Sequence, residues 1–121
     1  MQNILFTPPS DKKILSERKT LTARCWKRKP PKVGEHVTAS TGRKKETRFA
    51  KLKITGVYEW DGSSARSAEA ATGLQFDEIA YREGFVHWIE FVTAYDSLNA
   101  HNYHRPDRKH YFIKFELVDK L

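Results

Sequence analysis

Residues 14–26 read Ile14-Leu15-Ser16-Glu17-Arg18-Lys19-Thr20-Leu21-Thr22-Ala23-Arg24-Cys25-Trp26. Ile14 and Leu15 supply the buried side of a short helix expected over residues 12–17, with Ser10 or Asp11 as its N-cap. From Thr20 the period changes. Residues 20–26 are rich in β-formers and alternate, which predicts a strand. Leu21, Ala23 and Cys25 fall on one face, and Thr20, Thr22, Arg24 and Trp26 on the other. Such a strand gives its apolar side to a core and its Thr-Thr-Arg-Trp side to a polar lining.

Working outward, residues 3–7 read as a first strand stopped by Pro8-Pro9. Residues 29–34 turn, residues 36–40 form a strand, and residues 41–44 a hairpin tip. A longer strand follows, with Ala50, Leu52 and Ile54 inward and Lys51, Lys53 and Thr55 outward. Its alternation slips at Gly56, which marks a bulge. Residues 60–73 are small and polar and are expected to form a mobile loop. Residues 75–83 read as a helix stopped by Gly84. A second helix over residues 85–96 spaces Trp88, Ile89, Val92 and Tyr95 helically. In residues 110–118, Tyr111, Ile113, Phe115 and Leu117 share one strand face. The order of strand, helix, three strands, two helices and strand predicts an α+β class with a curled sheet flanked by helices.

The chain has 121 residues, 39% of them hydrophobic and fifteen aromatic, which suits one domain over residues 1–121. No internal repeat divides it. No apolar run reaches the roughly 18 residues of a bilayer span. Residues 1–6 lack a signal-peptide pattern, so a cytoplasmic location without membrane contact is expected. The single cysteine, Cys25, excludes an internal disulfide and a Cys-rich zinc site.

Charge is distributed unevenly. Residues 12–53 hold fifteen of the 22 Lys and Arg against Glu17, Glu35 and Glu46, a net +12, whereas residues 54–121 carry −4. A one-sided positive field suits a phosphate-bearing partner, a nucleoside or RNA. Lys27, Arg28, Lys29, Arg43, Lys44 and Lys45 are the expected nucleic-acid contacts. A solvated basic face that only aids solubility is the plainer reading.

Lys19, Thr22 and Arg24 resemble the signature of the ASCH domain, a branch of the PUA-like fold. That signature is Gly, any residue, Lys, four residues, then Arg, often with Thr two before the Arg. Glu17 stands where the family usually has Gly. Glu78-Ile79-Ala80-Tyr81-Arg82-Glu83-Gly84-Phe85 is similar to the family's helix ending in Glu-Gly-Phe. The resemblance implies a PUA-like curled β-barrel of about five to six mostly antiparallel strands, with flanking helices and a cleft between barrel and helices. Small bacterial members hydrolyse N(4)-acetylcytidine to cytidine and acetate with a Lys, a Thr and a Glu. Carried over, these are Lys19, Thr22 and Glu83. Other members are thought to be RNA-binding modules, and ribonuclease activity has been attributed to some.

Amide hydrolysis needs a nucleophile, a base and donors for the oxyanion. Thr22 offers the hydroxyl. Lys19 serves as base only when neutral, which requires burial or a nearby cation. Arg24, on the Thr22 face, supplies that cation and a substrate-oxygen ligand. Glu83 suits a proton shuttle. Three residues apart on a regular strand, Lys19 and Thr22 would point oppositely. The pair therefore requires Lys19 in the turn before the strand. The Glu17 carboxylate is expected beside Lys19, where it would raise the lysine pKa.

Simpler roles exist for each residue: Lys19 and Arg24 as phosphate contacts, Thr22 as a β-former, and Glu83 as an ion-pair partner of Lys19 or Arg24. Trp26 and Trp60 are the expected stacking platforms for a base, and Trp88 is expected in the core. His101, His104 and His110 with Asp107 hint at a metal cluster, but their cationic neighbours oppose one, so neither metal nor cofactor is expected. Cys25 reads as inert packing. The residues and the resemblance together therefore leave an acetylcytidine hydrolase, a non-catalytic RNA-binding module and, third, a ribonuclease, and fix no oligomeric state.

Overall fold

The structure, a computed structural model, describes residues 2–99 and 107–121. Its elements run β1 (Gln2–Leu5), α1 (Ser10–Leu15), β2 (Leu21–Trp26), β3 (His36–Ser40), β4 (Arg48–Trp60), α2 (Ala65–Thr72), α3 (Phe76–Arg82), α4 (Trp88–Asn99) and β5 (Lys109–Lys120). The strands form one sheet in the order β1-β3-β4-β5-β2. β1 runs parallel to β3, and every other pair is antiparallel. The result is an α+β fold, a curled half-barrel sheet with helices around it. Both β1 and β2 are edge strands.

Both faces of the sheet are covered. Ile4, Phe6, Ile14, Val37, Ala39, Ala50, Leu52, Ile54, Ile113 and Phe115 form one apolar cluster. Leu21, Trp60, Ala68, Ile79, Ala80, Phe91, Tyr95 and Phe112 form a second, against the helices. The neighbours Phe112 and Ile113 enter different clusters because successive strand side chains alternate. Fully buried Phe112 thus pins the helical layer to the sheet; its truncation to Ala would cost about 3–5 kcal/mol. The β4–β5 register shifts between Ile54 and Gly56. A Cβ at Gly56 would collide with the Tyr58 ring, so only glycine lets that side chain fold back over the bulge.

Residues 60–73 are not the expected open loop. Alanine is the best helix former, and Ala65, Ala68, Ala70 and Ala71 drive the two turns of α2. The Ser64 hydroxyl caps the helix by accepting the Ser67 N–H at 3.1 Å, and Gly73 ends it at φ 74. Asp61 gathers the approach by accepting the N–H groups of Ser63 and Ser64. No helix among the described residues is long and apolar enough to cross a membrane.

Candidate active site

The turn from α1 into β2 places the first functional group. Glu17 ends α1 in the left-handed region, at φ 62, and the Lys19 N–H bonds back to the Lys13 carbonyl at 3.0 Å. Lys19 therefore lies ahead of β2, the position its pairing with Thr22 requires. The reversal also explains the family's glycine at residue 17, since glycine adopts this conformation without steric cost. Glu17 itself is exposed. The charges that act on Lys19 are those of Glu83, Arg24 and Lys13. The expected Glu17 carboxylate beside Lys19 is thus corrected: the departure is one of backbone conformation.

Glu83 follows the last turn of α3, and Gly84 reverses the chain at φ 94. Four bonds fasten this corner to the α1–β2 turn. Thr20 N–H donates to the Arg82 carbonyl at 2.9 Å, Lys13 Nζ to Gly84 O at 2.7 Å and Arg18 Nη2 to Phe85 O at 3.2 Å. The fourth comes from Lys19 Nζ to Glu83 O at 2.8 Å. Cations here satisfy carbonyls that a helix end leaves without partners. Lys13, Arg18 and Lys19 are therefore committed to carbonyls of their own chain, Lys19 buried and the other two half-buried, and add less to the basic surface than their charge suggests.

Lys19 Nζ also donates to Leu21 O at 3.0 Å and to Glu83 Oε1 at 3.0 Å, so all three ammonium protons are used. Glu83 Oε2 is buried without a hydrogen-bond partner. Both side chains are about 95% shielded from solvent. Burial drives the Lys19 pKa down, while the attraction of Glu83 works against the shift. Burial drives the Glu83 pKa up, against the pull of Lys19, the Ala23 N–H and Arg24. Each partner is pushed toward neutrality, so proton exchange along their shared bond is favoured over ionisation into water.

Thr22, only 3% exposed, accepts a hydrogen bond from Arg24 Nε at 3.1 Å. The Arg24 guanidinium packs over the Phe6 ring, 4.8 Å from its centre. Burial lowers its pKa to about 10, against the attraction of Glu83, and leaves it charged at neutral pH. Lys19, Thr22, Arg24 and Glu83 all line one cleft of about 500 Å³, the size of a small-molecule site. It opens along the outer edge of β2, toward the end of β1 and α4. Within it the structure pairs Lys19 with Glu83 and Thr22 with Arg24; Lys19 and Thr22 are not bonded to each other.

The remaining predicted contacts divide. Trp26 lines the cleft, with the Arg28 guanidinium 4.3 Å from its ring centre. Trp60 does not. It is 6% exposed and stacks on Phe112 at 4.4 Å, inside the second apolar cluster. The expected substrate platform at Trp60 is therefore corrected to a core residue, and half-buried Trp88 packs against the same cluster. Lys27, Arg28, Lys29, Arg43, Lys44 and Lys45 are exposed. The first three follow cleft-lining Trp26, and the last three follow cleft-lining Thr41.

Cys25 is buried beside the cleft, its Sγ 4.0 Å from His110 Nε2, and burial raises its pKa, keeping the thiol protonated. His110 Nδ1 lies 2.7 Å from the Tyr95 hydroxyl. Burial lowers the His110 pKa, against the attraction of Asp61 and Asp96. His101 and His104 lie outside the described residues, and among those described no group of three metal-ligating side chains occurs. Sequence reasoning did not assign Phe6 and Tyr95 to the cleft wall. Their apolar spacing signalled only core.

No protein-family model matches the sequence, and neither does any curated protein. Solved structures do resemble it. The ASCH domain from Lactobacillus crispatus aligns with a TM-score of 0.65 at 13% identity, covering 96% of this chain and 78% of that one. The ASCH protein from Zymomonas mobilis aligns at 0.57 and 16% identity, covering 98% and 71%. An Enterococcus faecalis protein of the family called DUF984 aligns at 0.61 and 20% identity, covering 92% and 71%. The fold is thus the PUA-like ASCH fold.

Proposed function

We propose that the chain is a hydrolase that removes the acetyl group from N(4)-acetylcytidine or a related acylated pyrimidine nucleoside. The observation that supports this reading is the buried Lys19–Glu83 pair in the same cleft as the Thr22–Arg24 pair. Thr22 Oγ1 accepts from Arg24, so its own proton remains available to a base. Passage of a proton from Lys19 to Glu83 Oε1, along their 3.0 Å bond, leaves a neutral amine. As substrate enters, that amine exchanges one of its acceptors for the Thr22 hydroxyl; catalytic bonds often tighten only with substrate in place.

The Thr22 oxygen then bonds to the acetyl carbon while its proton goes to Lys19. Arg24 faces the carbonyl oxygen as that oxygen gains charge. The bond between acetyl carbon and base nitrogen breaks as Lys19 returns the proton to the leaving nitrogen. Water then gives one proton to the Lys19 amine as it attacks the acetyl-Thr22 ester. Lys19 passes that proton to the departing Thr22 oxygen to restore the hydroxyl, and the product leaves as acetic acid, which ionises in solvent. The direct test is incubation of the purified chain with N(4)-acetylcytidine, with cytidine followed by chromatography. Release of cytidine that disappears in Thr22→Ala and Lys19→Met supports the reading; absent turnover, or turnover unchanged in both variants, defeats it.

The exposed cations flanking the cleft favour a second reading, a non-catalytic RNA-binding module. In that case RNA retention falls steeply with salt, and no cytidine is released. Retention that is indifferent to salt counts against it.

A further inference from the structure

The outer edge of β2 carries chemistry of its own. Among the described strands β2 bonds only to β5, and in an antiparallel pair each residue turns both its N–H and its C=O either toward the partner strand or away from it, in alternation. The 3.0 Å bond from Phe115 N–H to Thr20 O fixes the phase. The Thr20 carbonyl and the main chains of Thr22 and Arg24 face β5, whereas Leu21, Ala23 and Cys25 turn their main chain outward. One contact agrees with this phase: the Leu21 carbonyl accepts Lys19 Nζ.

Next along that edge come the Ala23 carbonyl and the Cys25 N–H. Both residues line the cleft, and no hydrogen bond from a described residue reaches either group. Cys25 is buried and Ala23 half-buried at the cleft wall, and a main-chain donor and acceptor left unpaired there are costly unless a ligand or water meets them. An acceptor followed by a donor on one strand edge complements a planar ring whose amine hydrogen sits beside a ring-nitrogen acceptor. The C4 amine and N3 of cytosine form such an edge. An N(4)-acyl group leaves one N–H on that amine, so substrate and product both retain it. Uracil presents the reverse order, setting an oxygen against the Ala23 carbonyl and an N–H against the Cys25 amide.

Building on the nucleoside reading of the cleft, we infer that the free edge of β2, through Ala23 C=O and Cys25 N–H, selects a cytosine-type ring over a uracil-type ring. Specificity then resides in the main chain and follows from the position of β2 at the sheet edge, which no residue type announces.

The test is a binding titration of the isotopically labelled wild-type chain with cytidine, 3-deazacytidine and uridine, read by the amide resonances. Cytidine should bind and shift the Cys25 amide proton downfield. 3-Deazacytidine, which lacks the ring acceptor, and uridine should each bind at least about tenfold more weakly, the loss typical of one unmet buried hydrogen bond. Equal binding of the three overturns the inference, as does an unmoved Cys25 amide or an absence of cytidine binding. The readout is independent of turnover. A chain that releases no acetate can still rank the three ligands, and a turning-over chain that binds them equally loses only this inference.

Discussion

The inner end of the cleft and its basic rim use the same kinds of side chain to opposite ends. Lys19 is walled in, with every proton committed and a carboxylate at 3.0 Å. Lys27 stands in water, and its contact with Asp107 at 3.6 Å joins two exposed groups. Inside, desolvation shifts proton affinities toward the neutral forms. Outside, the charge contributes only a field that decays over about a Debye length of 10 Å. The +12 of residues 12–53 therefore overstates the docking surface: Lys13, Arg18, Lys19 and Arg24 belong to the architecture of the site.

Substitutions separate the two regions, beginning with the largest effect. Thr22→Ala or Lys19→Met should lower acetylcytidine turnover on the order of 10⁶-fold, the scale for removing a nucleophile or its base. Lys44→Glu should leave kcat on the free nucleoside unchanged. Steady-state kinetics on these variants decide it, and equal losses inside and outside would erase the distinction.

Stability follows. Glu83→Leu leaves Lys19 buried without its anion, so the amine must either stay charged or give up its proton, and should cost about 3 kcal/mol in urea unfolding. The double replacement Lys19→Met with Glu83→Leu should recover most of that. A double variant as weak as the single one would mean that the pair is not the source of the cost.

At the rim, reversal of Lys27 and Lys44 together should weaken RNA retention by about tenfold at low salt and flatten its salt dependence. Binding unchanged by the reversal would move the RNA surface elsewhere. The smallest effect is that of Glu17→Gly, which relieves the left-handed backbone and should add up to about 1 kcal/mol of stability. A destabilised Glu17→Gly chain would show that the carboxylate itself contributes.

Sequence made the site legible where chemistry rests on side-chain type at fixed spacing. Lys19, Thr22 and Glu83 could be singled out through the resemblance of their motifs to a known family and Arg24 as a matched motif position on the Thr22 face, while the alternation of residues 20–26 and 110–118 located β2 and β5. It failed where neighbours decide. Trp60 beside a Ser- and Gly-rich stretch looked exposed, yet Phe112 and Phe91 enclose it. Residues 60–73 looked like a loop because serine and glycine outweighed the alanines that build α2. At Glu17 the letter displayed a charge and concealed a backbone angle. Nothing in the letters of Ala23 or Cys25 shows that they lie on an outer edge.

The account stands on a lysine made less basic by being kept dry. The most direct measurement is an NMR titration of the Lys19 side chain, assigned by its loss in Lys19→Met. Its midpoint should fall below the ordinary lysine value of 10.5, because desolvation outweighs the attraction of Glu83. Glu83→Gln should move it lower still, since removing an anion favours the neutral amine. A midpoint at or above 10.5 would contradict the account and leave Lys19 a structural cation.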